Sequence, residues 1–172
     1  MEFDEDDRSL YELIEEKLVG RKAYSPRHQS VTGSLSTAIH AFASENRSGE
    51  VLPGPLDVIL DDHTGLQPDL VYLGLSKTHF ITQNNIMGAP TLVVEVISPS
   101  SIYRDRVTKK ALYECFGIQE YWLVDPADNF IEIYALTDGQ YRLLSAASID
   151  EGQLSSGVLS GLVLDLNVLF AE

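Results

Sequence analysis

The chain reads as a mixed α/β protein: a mixed β-sheet flanked by helices, with an additional C-terminal β-hairpin. Three stretches predict this. Thr91-Leu92-Val93-Val94-Glu95-Val96-Ile97 is an unbroken apolar, β-branched run stopped by Ser98-Pro99, the pattern of a central strand covered on both faces. A helical segment and a second apolar run, Tyr121-Trp122-Leu123-Val124, follow it. Strand, helix and strand in this order predict a right-handed parallel crossover. Last, Asp138-Gly139 separates residues 130–136 from residues 140–146, and that dipeptide between apolar runs is a strong hairpin signal.

In chain order, residues 1–10 are acidic and are expected to be disordered, with residues 11–172 forming a single domain. Residues 11–19 admit two readings. Leu10, Ile14 and Leu18 fall at helical spacing among good helix formers. Two short strands around Glu15-Glu16 are the alternative, although a hairpin turn prefers Asn or Gly there. Propensity favours the helix. Ser25-Pro26 supplies a cap and a first-turn proline for the next helix. Val31, Leu35, Ala38, Ile39 and Phe42 give that helix one apolar stripe, and it should end at residues 46–49.

Residues 50–52 and 56–60 read as strands interrupted by Pro53-Gly54-Pro55, and Asp61-Asp62-His63-Thr64-Gly65 as a polar turn. Pro68-Asp69 then opens the strand Leu70-Val71-Tyr72-Leu73. The short links between these three strands predict an antiparallel meander. Residues 74–90 form a polar crossover, with room for one short helical turn. After the central strand a helix is expected over residues 103–116, closed by Gly117. The tail, residues 154–170, alternates glycine with apolar residues and is expected to pack as a short strand and turn.

Bulk properties narrow the class. The chain has 172 residues and is 44% hydrophobic, enough for a real core. No apolar run reaches the ~20 residues of a membrane helix, so no membrane association is expected. The single cysteine, Cys115, cannot form an internal disulfide; it fits a cytoplasmic protein and reads as a packed small residue. With 12 basic against 26 acidic residues the net charge is −14, which opposes non-specific grip on nucleic acid. Arg104, Arg106, Lys109 and Lys110 cluster on one helix, either as a local positive rim or as a solvated face.

The chemistry gathers around Glu95. An ionised carboxylate inside so apolar a strand requires a cation or strong donor beside it. Strand parity puts Asp69, Val71 and Leu73 on one face, and Val93, Glu95 and Ile97 on one face. If the two strands are neighbours, Asp69 and Glu95 meet. Paired carboxylates repel unless a cation lies between them, and hard oxygen donors suit Mg²⁺ or Mn²⁺. On the following helix Asp105, Lys109 and Tyr113 are spaced i, i+4, i+8. Asp105 and Lys109 also have the spacing of an ordinary surface ion pair. His28, on a first helical turn, reads as structural or solvated. His40, His63 and His79 lack the spacing of a zinc site, and Ser98, Ser100 and Ser101 lack a nucleophile elbow.

These residues resemble a bacterial family of putative restriction endonucleases, a domain of unknown function within the PD-(D/E)xK nuclease-like superfamily. The resemblance rests on Ser25-Pro26-Arg27-His28-Gln29, Pro55-Leu56-Asp57-Val58 and Gln67-Pro68-Asp69-Leu70. It continues through Gly88-Ala89-Pro90, residues 92–101, Arg104-Asp105-Arg106 with Lys109 and Tyr113, and Glu120-Tyr121-Trp122-Leu123-Val124-Asp125-Pro126. It implies a restriction-endonuclease-like fold. Asp69 would be the acid of the Pro-Asp motif and Glu95 the second acid. Lys109 would be the lysine, supplied from the helix, because Ile97 stands where the strand lysine is usual. Ile97 would then offer only its backbone carbonyl to a metal. Tyr113, Asp105, His28 and Glu12 are supporting residues by the same resemblance. The family builds a hairpin where this chain has Glu15-Glu16, which reopens the reading of residues 11–19. Thr91 replaces a frequent family aspartate.

The function these expectations favour is a metal-dependent DNA endonuclease hydrolysing phosphodiester bonds with Mg²⁺ or Mn²⁺. Cutting two strands calls for a homodimer. The alternatives are a catalytically silent nuclease-fold binding or assembly module, and a metal hydrolase of other phosphoesters.

Overall fold

The computed structural model describes residues 11–20, 24–150 and 154–171. The acidic segment expected to be disordered lies outside the described residues, apart from which the chain is mixed α/β, as expected. Among the described residues eleven strands form two sheets. In chain order the strands are β1 (Tyr11–Ile14), β2 (Lys17–Gly20), β3 (Gly49–Pro53), β4 (Val58–Asp61), β5 (Thr64–Leu66), β6 (Leu70–Gly74), β7 (Ile86–Met87), β8 (Leu92–Val96), β9 (Glu120–Asp125), β10 (Phe130–Thr137) and β11 (Gln140–Ser148). The larger sheet runs β11-β10-β9-β8-β6-β3 and the smaller β2-β1-β5-β4-β7.

β8 is central, antiparallel to β6 and parallel to β9. Its five residues are all buried because each face meets a different layer. Leu92, Val94 and Val96 pack with Val31, Leu35 and Ile39 of helix α1 (Pro26–Asn46) and with the C-terminal tail. Val93 and Ile97 pack on the other face with Val58, Leu66 and Ile86 of the smaller sheet and with Tyr113. Parity therefore sends Glu95 to the side occupied by the smaller sheet and the second helix.

α1 begins as its sequence predicts. The Ser25 side chain accepts from the His28 N–H at 3.1 Å, with Pro26 in the first turn. The helix stops at Arg47, whose φ of 48° is left-handed. The second helix is less regular. Residues Arg104–Lys109 wind as a π-helix, and α2 (Lys110–Cys115) continues it. The buried side chains on this run are Asp105, Lys109 and Tyr113, the i, i+4, i+8 set. Gly117 closes the helix at φ 72°. The β10–β11 hairpin turns at Asp138-Gly139 (φ 53° and 77°), as its sequence requires.

Several expectations are corrected. Residues 11–19 are a hairpin, not a helix. Glu12 and Ile14 are buried while Glu15 and Glu16 turn the chain at φ 47° and 67°. β1 pairs with β5, and the Glu16 N–H donates to the His63 carbonyl at 3.2 Å, so pairing and burial override helix propensity. Left-handed glutamates are strained. Glu15→Asn with Glu16→Gly should therefore stabilise the protein by ~1 kcal/mol, raising the thermal midpoint by roughly 2–4 °C; a fall in the midpoint would contradict this reading of the turn.

The three strands expected as a meander are divided between the sheets: β3 pairs with β6, whereas β4 pairs with β5 and β7. The Pro53-Gly54-Pro55 corner carries the chain from one sheet to the other. Thr64 and Gly65, expected in a turn, are in β5, and the crossover contributes the 3-10 segment Leu75–Phe80 as well as β7.

The tail contains no strand among its described residues. It ends in the short helix α3 (Leu166–Leu169), capped by the Asp165 side chain. The buried Glu120 carboxylate anchors the tail by accepting from Ser156 Oγ and from the Gly157 and Val158 N–H groups, and it also accepts from Trp122 Nε1. Cys115, finally, is exposed rather than packed, because α2 buries Tyr113 instead.

No helix of the described residues is long and apolar enough to cross a membrane.

Candidate active site

A cavity of about 460 Å³ opens where β6 and β8 end beside the helical run, and Asp69, Glu95, Asp105, Lys109 and His28 line it. Leu70 pairs with Val94 across the antiparallel β6–β8 ladder, and the Asp69 N–H donates to the Val94 carbonyl at 3.2 Å. Continued one step, that register would set Asp69 across from Glu95, and the two carboxyls are near enough that Asp69 raises the Glu95 carboxyl. Adjacency of the two strands thus brings the two carboxylates together.

Each acid is fixed by donors from elsewhere in the chain. Asp69 Oδ2 accepts from the Val96 N–H at 2.7 Å and contacts His28 Nε2 at 3.1 Å. Tyr24 stacks on the His28 ring, with centroids 4.3 Å apart. Glu95 Oε1 accepts from Lys109 Nζ at 2.8 Å and from the Tyr113 hydroxyl at 2.7 Å. Lys109 Nζ also lies 2.6 Å from Glu12 Oε1. Lys109 is therefore not a surface partner of Asp105. It is 1% exposed and Glu95 is 2% exposed, and the ammonium bridges two buried carboxylates.

The electrostatics follow from burial. Four buried acids, Glu12, Asp69, Glu95 and Asp105, surround the buried lysine. Burial pushes the Glu95 carboxyl up to about 8. Asp105, Asp69 and Glu12 push in the same direction, and the Lys109 ammonium opposes them. Burial also raises Asp105, again against Lys109. Tyr113 is held well above its ordinary value by burial and by Glu95, so it acts as a hydroxyl donor. Such an excess of buried negative charge is what a cation relieves.

Among the described residues no group of three or more His, Cys, Asp or Glu side chains is arranged to hold a metal ion. Mg²⁺, however, takes one or two carboxylates and keeps several waters, so the Asp69–Glu95 pair is a fitting donor set. The Ile97 carbonyl lies at the same strand end, and Ile97 lines the cavity.

His28, expected to be structural or solvated, is buried against Asp69. Glu12 reaches the site only because residues 11–20 form a hairpin; its alternation with Ile14 was the available signal. The two donors that sequence reasoning missed, the Val96 and Gln67 N–H groups, belong to the backbone and leave no trace in residue type. The basic cluster does not form a free positive rim. Arg106 pairs with Glu132, Lys110 lies 3.3 Å from the Tyr134 ring centroid, and Arg104 donates to the Gly20 carbonyl.

No curated protein matches the chain. Among solved structures, a putative nuclease belonging to DUF820 from Anabaena variabilis ATCC 29413 matches with a TM-score of 0.77 at 17% identity, over 94% of this chain and 89% of that one. That likeness is one of fold. The type IIG restriction endonuclease BpuSI matches with a TM-score of 0.46 at 16% identity, over 83% of this chain and 15% of that one. A family model, Uma2, described as a putative restriction endonuclease, matches residues 1–167. With nearly its whole length matched, the chain belongs to the Uma2 family of putative restriction endonucleases.

Proposed function

We propose that the cavity is the active site of a divalent-metal-dependent endonuclease that hydrolyses phosphodiester bonds of DNA. The observation that carries this reading is the convergence of Asp69, Glu95 and Lys109, buried together at one strand end and lining one cavity. The family and its structural neighbours point to nuclease chemistry in general. Asp69, Glu95 and the Ile97 backbone carbonyl would hold Mg²⁺ or Mn²⁺, which supplies an acidified bound water and neutralises phosphate charge.

The chain's own residues do the rest. His28 and the Val96 N–H hold Asp69 in orientation. Tyr113 holds Glu95. Lys109 sets an ammonium beside the carboxylates, and its positive charge stabilises charge developing on the phosphate. Asp105, on the face of the helix that carries Lys109, adds a further carboxyl that interacts electrostatically with the ammonium. Cleavage of both strands would use two copies, so a homodimer belongs to this proposal.

The test is incubation of the purified protein with Mg²⁺ or Mn²⁺ and linear, circular, single-stranded and duplex DNA. Metal-dependent cleavage of at least one form is expected; every form left intact would sink the reading.

One observation favours the second reading, a binding or assembly module without turnover. The net charge is −14, and the helix cations are engaged internally rather than presented to a phosphate backbone. Under that reading Glu95→Ala retains its partner, whereas loss of the partner would count against it.

A further inference from the structure

Glu12 comes from a different sheet than Asp69 and Glu95, the two sheet-borne acids that line the cavity. Asp69 and Glu95 sit at the ends of β6 and β8 in the larger sheet, whereas Glu12 lies on β1 in the smaller one. It is fully buried. Its Oε1 accepts from the Gln67 N–H at 2.9 Å, two residues before Asp69, and lies 2.6 Å from Lys109 Nζ. Its Oε2 has no hydrogen-bond partner among the described residues. Arg104 Nε, also without one, stands 3.9 Å away. A carboxylate buried in this way, with one oxygen unbonded, is costly, and a hairpin held only by its ladder would not need it.

The contacts of Glu95 suggest why it is there. Lys109 and Tyr113 both donate to Oε1, and no hydrogen bond reaches Oε2 from the described residues. Glu95 lines the cavity. An ammonium paired with Glu95 alone would neutralise it, whereas one shared with Glu12 leaves Glu95 with charge to offer a cation.

We propose that Glu12 is a positioning residue, which draws the Lys109 ammonium to the hairpin side of the cavity and so leaves Glu95 able to bind a divalent cation. The idea rests on the metal-dependent reading above. It makes the β1–β2 hairpin part of the active site rather than an ornament of the smaller sheet.

The experiment is Mn²⁺ titration of the full chain, followed by electron paramagnetic resonance, for the wild type, Glu12→Gln and Ile14→Ala. Ile14 is the other buried residue of β1, and its truncation loosens the hairpin without touching Lys109. Glu12→Gln should weaken Mn²⁺ binding about tenfold, the low end for a residue that orients a metal ligand. Ile14→Ala should stay within about twofold of wild type. Equal affinity in Glu12→Gln and wild type overturns the proposal. So does an equal loss in Ile14→Ala, which would make Glu12 a structural residue. Should Glu12→Gln fail to fold, Glu12→Asp keeps the charge and shortens the reach; a loss of about threefold is expected, and wild-type affinity overturns the idea. A wild type that binds no Mn²⁺ removes the metal-dependent reading itself, and this inference with it. A wild type that binds Mn²⁺ beside an unaffected Glu12→Gln removes this inference alone.

Discussion

Glu95→Ala is expected to abolish tight Mn²⁺ binding and to reduce DNA cleavage by about 10³-fold or more, the loss when a metal's several kcal/mol of charge stabilisation disappears. The fold should survive. Lys109 keeps Glu12 as its partner, and a small side chain replaces a carboxylate whose own burial is unfavourable. Glu95→Gln separates shape from charge: it preserves the volume beside Tyr113 and should be nearly as inactive. Thermal unfolding monitors the fold, Mn²⁺ titration the site and plasmid nicking the reaction. A folded Glu95→Ala protein that still nicks DNA at the wild-type rate would remove Glu95 from the mechanism.

Lys109→Met should have the largest effect on stability. It leaves Glu12 and Glu95 buried without the ammonium that bridges them. Removing one partner of a buried pair costs about 3–5 kcal/mol, which for a protein of this size lowers the thermal midpoint by roughly 10 °C. The loss should depend on pH in a definite direction. The Glu95 carboxyl is raised from 4.5 to about 8 in the folded protein, first by burial. A raised folded value means that the folded state binds the proton more tightly than the unfolded state does. The group's contribution to stability is fully present below pH 4.5 and is lost as pH rises through 8. Without the opposing Lys109 ammonium the folded value climbs further. The gap between wild type and Lys109→Met should therefore be smaller at pH 5.5 than at pH 8.5, as differential scanning calorimetry would measure. A gap that does not change with pH would mean that Glu95 is not the group left uncompensated.

Most of the site could be inferred from the sequence because a buried strand is conspicuous and its parity is strict. The apolar run around Glu95 identified the central strand, and alternation identified which residues share its face. Spacing on the helix put Asp105, Lys109 and Tyr113 in one row, which survives the π-helical turn over Arg104–Lys109. What spacing could not distinguish was a buried Lys109 from an exposed ion pair. That depends on what covers the helix, and the cover includes Glu12, more than ninety residues away in the chain.

Residues 11–19 show the same limit more plainly. Their composition favours a helix, yet β5 offers a pairing edge and the site offers a cation, so the chain turns at two glutamates with left-handed φ. Local preferences of this kind amount to tenths of a kcal/mol per residue; pairing with β5 and burying Ile14 outweigh them. The division of β3 and β4 between sheets was equally hidden, since a Pro-Gly-Pro corner specifies that the chain turns and not which edge it joins next.

With the roles of Lys109 and Glu12 suggested only by resemblance to a family, the sequence by itself determined the α/β class, the central strand, the two helices and the Asp138-Gly139 hairpin. These are encoded locally, in periodicity and turn chemistry. Only the tertiary structure decided that β6 lies beside β8, that the hairpin delivers Glu12, and that one ammonium bridges two carboxylates out of water. Those facts depend on pairing between segments distant in the chain, for which residue type carries no address.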